Sequence, residues 1–569
     1  MDDREDSEKQ DRHRVGKENK VYLGCLSKRQ LIIISVAVGL AVLLMVVTAV
    51  VVTEKSDSNP SMSTGGDMLD YLVHSGNISK PDGLYATWFH RANNKEQMNS
   101  ALRSDAMILE ADVTLEGYNT PAMKPIPIMA HPPDVYSDNT LDQWLDAVLA
   151  SRKAMKLDFK SLESVGLSLD VLNKKNSHRR IDRPVWLNAD IVQGPNVPAF
   201  VPPVNGTRFL ELIQEKFPDV TLSPGWKVLY VPPPVPSQTY SRAMMEEMYD
   251  MIKDVTQKVT FPVHALLVRS GWEHISWLLN QSPRFSLTLW QGSIHPNVSD
   301  LLFVRDNTDP ARVYYDIYEP TLSEFKQAVE ERGRLRRFYP GGDLMDFLYP
   351  TVRSSLEVQW FTVTDRTSLL VQLSDGAGGM LLVHVASDSN QPGVPVVEGS
   401  GKGSEALTLQ DILQQLGQRP DVLWGVHLRI HTQQLLEASL KLLHSAYSTE
   451  ELYRPVWISM EGLQNTDSAK EFISAVERLF PYVTLVLTEQ NQPLVPVTGL
   501  SQRVALYLTT ASLPKEQEAL NSLTEMMDRY DLIVEEDTKS SAGSVTVFKE
   551  LMTRRARRTN TNLYVINPK

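Results

Sequence analysis

The sequence predicts an α/β protein in which two tandem TIM-like (β/α)8 barrels follow an N-terminal transmembrane helix. Three features of the 569 residues predict this architecture. An uncharged apolar run lies near the N-terminus, an internal repeat divides the remaining chain into two copies, and short apolar runs alternate with helical patterns inside the first copy. The 517 residues after the apolar run are too many for one hydrophobic core and suit two domains.

The apolar run covers residues 31–52 and contains 22 residues without a charge. A helix rises about 1.5 Å per residue, so this run spans roughly 33 Å, enough to cross the hydrocarbon core of a bilayer. A cleaved signal peptide is the main alternative, but signal sequences have shorter apolar regions, and here 30 largely hydrophilic residues precede the run. We therefore expect a signal-anchor helix that crosses the membrane once.

The charges beside this run predict its orientation. Residues 1–30 carry eight Lys or Arg, whereas residues 53–70 offer only Lys55. Because cytoplasmic flanks are enriched in Lys and Arg, we expect a type II single-pass membrane protein with the bulk of the chain extracellular or lumenal. Cys25, on the cytoplasmic side, is a candidate for palmitoylation. Four N-glycosylation sequons lie beyond the span, at Asn77, Asn205, Asn280 and Asn297.

The rest of the composition narrows the class of protein. The formal net charge of −12 argues against nucleic acid as a partner. Residues 53–66 are polar and rich in Gly and Ser, which predicts a stalk. The expected division of the chain is a cytoplasmic tail 1–30, a transmembrane helix 31–52, a stalk 53–66, a first barrel 67–330, a linker 331–342 and a second barrel 343–569.

An internal repeat supports two copies of one domain. Four short motifs recur in the same order, which chance does not readily produce. Gly66–Leu72 recurs as Gly342–Leu348, Trp88-Phe89 as Trp360-Phe361, Arg183–Leu187 as Arg454–Ile458, and Phe217–Leu222 as Phe480–Leu485.

The first copy contains eight short apolar runs with helical patterns between most of them. Near-continuous apolar strands separated by helices indicate a parallel sheet, and eight of them in about 260 residues indicate a (β/α)8 barrel. An open, doubly wound sheet is the alternative. The predicted strands are 86–89, 107–113, 155–159, 185–190, 220–223, 265–269, 286–290 and 313–318, and predicted helices include 141–150, 207–217 and 241–256.

Polar residues end several of these strands, where the functional groups of a parallel barrel collect. Residues spaced i, i+2 on a strand point to the same face, so pairs at that spacing act together. The first strand ends in His90, the second contains Glu110 and Asp112, a short following run ends in His131, the next strand carries Asp158 and Lys160, and the fourth ends in Asn188 and Asp190.

Three carboxylates in one barrel mouth repel one another unless a cation lies between them. Glu110, Asp112 and Asp158 offer the hard oxygen ligands that Mg²⁺ and Ca²⁺ prefer. Two histidines beside such an ion can act as base and acid, and Lys160 suits an anionic, phosphate-like group. Attack at a phosphodiester is the reaction class that fits, and a barrel hydrolase acting on sugars leaves the histidines and Lys160 unexplained.

The ordered pattern His90-Arg91, Glu110-Ala111-Asp112, His131 and Asp158-Phe159-Lys160 resembles the phospholipase-C-like superfamily, which includes glycerophosphodiester phosphodiesterases and sphingomyelinase D toxins. From Gly66 to the C-terminus the chain more closely resembles the menorin family, and its two-copy layout with a span resembles the membrane-anchored vertebrate A branch. The resemblance implies metal ligands at Glu110, Asp112 and Asp158, an acid–base pair at His90 and His131, and a phosphate contact at Lys160. Ala92-Asn93-Asn94 and Pro132 depart from the glycerophosphodiesterase pattern and leave the substrate open.

The second copy departs further and is expected to be non-catalytic. It has Thr362 at the place of His90, and the motif at the place of Glu110–Asp112 is interpreted as Val383–Val385. Arg429-Ile430-His431 replaces Asp158–Lys160. The histidines 384, 427 and 431 remain candidates for a different site.

Two functions follow from these observations. In the first, the first barrel is a metal-dependent phosphodiesterase or phospholipid lyase, held by its stalk close to phosphodiester lipids. In the second, both barrels are scaffolds that recognise a cell-surface protein, without catalysis.

Overall fold

The computed structural model describes residues 63–178, 180–230, 238–331, 336–348, 358–374, 378–401, 405–495, 500–509, 530–535 and 562–566. Within these ranges the chain forms two nearly closed parallel barrels with alternating helices, which confirms the predicted α/β class and the tandem barrels. Residues 31–52, Cys25 and most of the stalk lie outside the described residues. Among the described helices, none is both long and apolar enough to cross a bilayer.

The first barrel has eight parallel strands and one short antiparallel strand. In chain order these are β1 (Trp88–Phe89), β2 (Ile108–Leu115), β3 (Pro127–Met129), β4 (Ala154–Phe159), β5 (Val185–Gln193), β6 (Thr221–Lys227), β7 (Val259–His264), β8 (Phe285–Trp290) and β9 (Val313–Asp316). The sheet runs β1-β2-β4-β5-β6-β7-β8-β9, with β3 paired to β2. Because this order follows the chain without a reversal, the doubly wound alternative is wrong.

Helices cover the outside of this sheet, and several of them begin at capping residues. Asn94 and Thr140 each form a capping box, which satisfies amide groups that a helix start leaves free. The helices are α1 (Met68–His74), α2 (Lys95–Arg103), α3 (Leu141–Leu149), α4 (Leu162–His178), α5 (Gly206–Lys216), α6 (Arg242–Ile252), α7 (Trp272–Leu279), α8 (Val298–Asp306) and α9 (Thr321–Glu330).

The second barrel repeats this plan. Its strands are β10 (Gln359–Thr362), β11 (Gly379–Ser387), β12 (Pro395–Val397), β13 (Trp424–Ile430), β14 (Val456–Met460), β15 (Thr484–Thr488), β16 (Arg503–Thr509), β17 (Asp531–Glu535) and β18 (Leu563–Ile566), and its described helices are α10 (Leu344–Leu348), α11 (Arg366–Ser374), α12 (Leu409–Gly417), α13 (Gln433–Ser448) and α14 (Thr466–Leu479). The antiparallel β12 pairs with β11 as β3 pairs with β2. A backbone hydrogen bond of 3.4 Å from Val358 N to Val565 O links the two edges of the sheet.

One predicted strand of the first barrel is wrong. The strand predicted at 265–269 lies instead at Val259–His264, and the chain turns immediately after it. The observed strand contains Pro262, and a proline within an apolar run argues against a central strand. Its position is nevertheless fixed by pairing with β8, from Val259 opposite Phe285 to His264 opposite Trp290.

A short helix closes the N-terminal end of each barrel, which explains the first repeated motif. Asp67 accepts hydrogen bonds from the first amides of α1, and Asp343 accepts one from Met345 N in α10. Helix α1 packs on Trp186 and Tyr314, whose rings are 4.8 Å apart at 90°. The corresponding rings under α10, Trp457 and Tyr564, are 5.1 Å apart at 70°.

A buried arginine next to each of these tryptophans explains the third repeated motif. The guanidinium of Arg183 donates to the carbonyl groups of Val148, Ser151 and Lys153. The guanidinium of Arg454 likewise donates hydrogen bonds to the carbonyl groups of residues 416, 419, 422 and 424. Both arginines satisfy carbonyl groups that would otherwise be buried without a partner. The repeated residues therefore serve the end of the barrel opposite the mouth.

The two barrels contact each other through charged and aromatic side chains. Arg269, between β7 and α7, donates to Tyr453 Oη at 3.0 Å and to Asp300 at 3.1 Å. The rings of Tyr339 and Tyr482 lie 5.8 Å apart. The four sequon asparagines are exposed, so glycosylation at them stays a prediction that their positions permit.

Candidate active site at the mouth of the first barrel

Three carboxylates on the neighbouring strands β2 and β4 converge. Glu110 and Asp112 lie on one face of β2, and Asp112 pairs directly with Asp158 on β4. One oxygen atom from each of the three lies within 4.8 Å of the others. Oxygen ligands of one Ca²⁺ or Mg²⁺ ion lie about 2.0–2.6 Å from it, so atoms this close can share an ion.

The loop after β1 holds the first two carboxylates in place. Asn93 donates from Nδ2 to Asp112 Oδ2 at 2.8 Å and accepts from Asp112 N at 2.8 Å. The backbone N–H of Arg91 donates to Glu110 Oε2 at 2.8 Å, from a residue whose φ is 62°. A positive φ is uncommon outside glycine and occurs where surrounding contacts enforce it. Asn93, one of the residues that depart from the glycerophosphodiesterase pattern, thus positions Asp112, and Arg91 positions Glu110.

Lys160 lies between two of the carboxylates. Its Nζ is 2.5 Å from Asp158 Oδ2 and 3.1 Å from Asp112 Oδ1. Burial opposes the charge of Lys160, but Asp158 and Asp112 outweigh burial and raise its pKa well above the ordinary value. Burial likewise opposes ionisation of Asp112, but Lys160 and the hydrogen bond from Asn93 lower its pKa. Lys160 is therefore a permanent cation at the mouth.

His90 is held by a carboxylate that the sequence interpretation did not include. Its Nδ1 lies 2.7 Å from Asp316 Oδ2, at the end of β9, and 3.5 Å from Glu110 Oε2. Burial lowers the pKa of His90, but Glu110 and Asp316 outweigh it and raise the pKa to about 9. The contact with Asp316 also joins the first and last strands of the sheet. It leaves Nε2 of His90 for other partners.

His131 follows β3, the short strand that pairs with β2. The backbone N–H of Ala130 donates to Asp112 O at 3.0 Å, which ties the start of the His131 loop to β2. His131 Nδ1 lies 2.5 Å from the carbonyl oxygen of Pro132, so that nitrogen carries the proton in the neutral ring. His131 is among the groups that lower the pKa of Asp112.

Asn188 and Asp190 on β5 extend the polar surface. Asn188 donates from Nδ2 to Asp158 Oδ1 at 2.7 Å and accepts from Ser223 Oγ at 2.7 Å. Asp190 lies against Gly225, where an added Cβ would come within 2.7 Å of Asp190 Oδ1. Burial and the neighbouring Asp158 raise the pKa of Asp190 to about 6.

The charge balance of the mouth fits a divalent cation. Burial is the largest cause that raises the pKa of Glu110 to about 7; crowding by the like charges of Asp112 and Asp158 adds to it, and His90 opposes it. A bound dication would relieve this crowding. Five carboxylates face four cations, which leaves about one negative charge when all are ionised; the carboxylates are Glu110, Asp112, Asp158, Asp190 and Asp316, and the cations are Arg91, Lys156, Lys160 and protonated His90.

Sequence reasoning missed two charged groups of this site. Asp316 lies inside the strand predicted at 313–318, but no spacing linked it to a partner more than 200 residues away. Lys156 lies inside β4, opposite Glu110, with its Nζ 6.0 Å from the Trp88 ring centroid. The i, i+2, i+4 series of Lys156, Asp158 and Lys160 was the available signal, because all three point to one face.

The opposite side of the mouth is aromatic. The ring of His264 at the end of β7 lies 4.6 Å from Trp290 and stacks on Tyr230 at 5.7 Å. Burial lowers the pKa of His264 to about 4, so this ring is neutral at physiological pH. Large apolar side chains are exposed on several loops that follow strands, at Met123, Ile126, Tyr136, Phe200, Leu229, Ile294 and Tyr318.

The mouth of the second barrel lacks the acidic pair of β2, and the pairing register corrects the sequence comparison. Trp360 pairs with Met380 as Trp88 pairs with Ile108, so Leu382 stands at the place of Glu110. His384, rather than Val385, stands at the place of Asp112. The sequence interpretation placed the second motif one residue too far along the chain, because the spacing from Trp360 to Met380 is the same as that from Trp88 to Ile108.

The predicted trio of second-copy histidines is not brought together. His427 is completely buried, and its ring lies 5.7 Å from Trp360 and 6.2 Å from Trp457. Burial lowers its pKa well below the ordinary value. His384 and His431 instead lie near Glu398, with one possible ligand atom of each residue within 4.8 Å of the others.

Comparison with known proteins agrees with the repeat. A sequence profile of the Menorin N-terminal domain matches residues 82–322 and again residues 354–565, which together are most of the chain. Human protein FAM151B is 45% identical over 264 residues, which are 46% of this chain and 93% of that relative. The matched length is that of one barrel.

Proposed function

We propose that this chain, which belongs to the menorin family, carries in its first barrel a metal-dependent phosphodiesterase of the phospholipase-C-like superfamily. One observation carries the proposal. The oxygens of Glu110, Asp112 and Asp158 converge within 4.8 Å at a barrel mouth that also holds His90, paired with Asp316 at 2.7 Å. Acid, base, cation and dication ligands are the groups that phosphodiester cleavage needs.

In this proposal Mg²⁺ or Ca²⁺, held by the three carboxylates, supplies Lewis-acid stabilisation of the phosphoryl oxygens when bound. Lys160 contacts a phosphate oxygen and offsets its negative charge. His131, with its Nδ1 engaged by Pro132 O, accepts the proton of the nucleophile at Nε2. His90, whose pKa is raised to about 9, donates a proton to the leaving oxygen from Nε2. Asp316 orients the His90 ring and stabilises its charged form.

We extend the proposal to phosphodiester lipids as the substrate class. Phe200 has 84% of its surface exposed and Tyr136 has 58%, and both lie on loops that follow strands at the mouth. Exposed apolar side chains on the rim of a charged site are suited to insertion among lipids. The same proposal keeps the predicted span 31–52 as a membrane anchor and places the ectodomain outside the cell or in a lumen.

The test is turnover of choline- and glycerol-phosphodiester lipids by the purified full chain, with Mg²⁺ or Ca²⁺ and after EDTA treatment. We expect metal-dependent turnover that Glu110→Gln and His131→Ala reduce by about 10²–10⁴-fold, as for loss of an acid–base or charge-stabilising group. Matched controls are Glu163→Gln and His178→Ala on helix α4, where both side chains are exposed. No turnover, or turnover that these site variants leave unchanged, rejects the proposal.

A second candidate is recognition of a cell-surface protein without catalysis. It is favoured by the second barrel, which keeps the buried arginine and the closing helix but has Leu382 and Thr362 at the places of Glu110 and His90. This candidate predicts that Glu110→Gln leaves the cellular function of the chain intact. Substitutions on the surface of the second barrel would then abolish it.

A further inference from the structure

We propose that the mouth of the second barrel binds one Zn²⁺ ion through His384, Glu398 and His431. These residues come from three neighbouring segments of the barrel. His384 lies in β11 at the place of Asp112, Glu398 directly follows β12, and His431 directly follows β13. One possible ligand atom from each lies within 4.8 Å of the others.

The backbone holds the three ligands in register. The N–H of Glu398 donates to the carbonyl oxygen of His384 at 2.9 Å, next to the antiparallel pair Val385 and Val397. β11 also pairs in parallel with β13, with His384 opposite Arg429, so His431 lies one strand away and two residues further along. The site therefore rests on the sheet of the barrel and not on a surface loop alone.

A second carboxylate supports one of the histidines. Glu461 Oε2 lies 3.3 Å from His431 Nδ1, and the N–H of Glu461 donates to Ile430 O at 2.7 Å. Histidines that bind metals usually pair one ring nitrogen with a carboxylate or carbonyl group, which orients the ring and leaves the other nitrogen for the ion. The contact with Glu461 would orient the ring of His431 and leave its Nε2 for the ion.

Arg429 lies beside the proposed site and pairs with the same Glu461 that contacts His431. Arg429 Nε is 4.0 Å from Glu461 Oε1, and its guanidinium carbon lies 5.2 Å from the Tyr507 ring centroid. Its charge is therefore shared with an acid and an aromatic face, and Glu398 and Glu461 together offset it.

The donor set selects the class of ion. Two imidazoles and one carboxylate suit Zn²⁺ and similar transition metals, whereas Mg²⁺ and Ca²⁺ prefer all-oxygen sites. His384 is half-buried, while Glu398 and His431 are exposed, so the ion would keep a position open to solvent. The two mouths of one chain thus differ in the metal they are built to bind.

The test is Zn²⁺ binding by the full chain without an affinity tag, stripped of metals and titrated against a chelating dye. The chain carries Glu110→Gln, so that Zn²⁺ binding by the acidic cluster of the first barrel is weakened. We expect one Zn²⁺ per chain, not displaced by excess Mg²⁺, and lost in His384→Gln and in His431→Gln. Glu461→Gln should weaken binding by about 10–100-fold, as for other carboxylates behind a ligand. The matched control is His444→Gln, an exposed histidine on α13 that should change nothing.

A second measurement keeps the test independent of folding. Co²⁺ bound by imidazole absorbs visible light, and Glu398→Gln, which alters an exposed side chain, should change that spectrum without changing the far-ultraviolet circular dichroism. Zn²⁺ stoichiometry and affinity that stay the same in the His384→Gln/His431→Gln double variant overturn the proposal. So does a Co²⁺ spectrum that Glu398→Gln leaves unchanged.

Discussion

The two barrels are alike at the end where their strands begin and different at the end where their strands finish. Below the strands, Trp186 and Trp457 occupy equivalent places, each packed under a short helix. At the mouth, Glu110 corresponds to Leu382 and Asp112 to His384. Packing allows few substitutions in a buried aromatic cluster, whereas a mouth open to solvent can exchange its chemistry without loss of the fold.

The largest expected effect separates the two mouths by activity. His90→Gln should lower turnover of phosphodiester lipids by about 10²–10⁴-fold, because it removes the proposed acid. Thr362→Gln, at the equivalent place in the second barrel, should leave turnover unchanged. The measurement is initial rate at saturating Mg²⁺ or Ca²⁺. Equal losses in both variants would show that the barrels do not divide their roles in this way.

The next prediction concerns the shared end of the barrels. Arg183→Met and Arg454→Met should each lower the free energy of unfolding by about 2–4 kcal/mol, because each leaves buried carbonyl groups without a donor. Urea unfolding of the two variants checks this. The comparison predicts similar losses from both, so a large loss from only one would show that the repeated motif serves only one barrel.

The third prediction concerns pH and uses the acid that the second barrel lacks. The folded chain holds the proton of Glu110 more tightly than the unfolded chain, since its folded pKa is raised to about 7. The contribution of protonated Glu110 to the free energy of unfolding is complete below its ordinary pKa of about 4.5. It is lost as the pH rises to and through the folded pKa of about 7. With EDTA present, stability should therefore fall between pH 5 and pH 7.5, by roughly 1–3 kcal/mol from this group.

Glu110→Leu, which places the residue of the second barrel at this position, should remove that part of the fall. Thermal unfolding at the two pH values, with and without EDTA, measures it. Mg²⁺ should reduce the fall in the unsubstituted chain by stabilising the ionised carboxylates. A fall that persists unchanged in Glu110→Leu would mean that other groups cause it.

The smallest effect concerns the rim of the first mouth. Phe200→Ser should reduce turnover of lipid in vesicles by about 3–10-fold, because it removes roughly 1 kcal/mol or more of apolar burial in the membrane surface. Turnover of a water-soluble phosphodiester should not change. Val371→Ser in α11 is the matched control, since that side chain is 64% exposed and lies on a helix of the second barrel.

Patterns of local spacing allowed much of the site to be predicted. Glu110 and Asp112, or Asp158 and Lys160, point to one face because a strand repeats every two residues. The pair formed by His90 and Asp316 was missed, since it joins the first and last strands of a closed sheet and has no signature of spacing. The position of β7 was also predicted wrongly for a non-local reason. Pairing with β8 places Pro262 in a strand that local propensity disfavours.

The amino-acid sequence by itself determined that the chain has two copies, that each is a parallel barrel, and that only the first carries the three carboxylates. Periodicity and repetition are patterns in the order of the residues, so they can be recognised without a structure. Tertiary structure alone decided which residues face each other across strands, and so it brought Asp316 to His90 and Glu398 to His384 and His431. The register of a sheet is set by packing over the whole barrel, and a difference of one residue changes which side chain reaches the mouth.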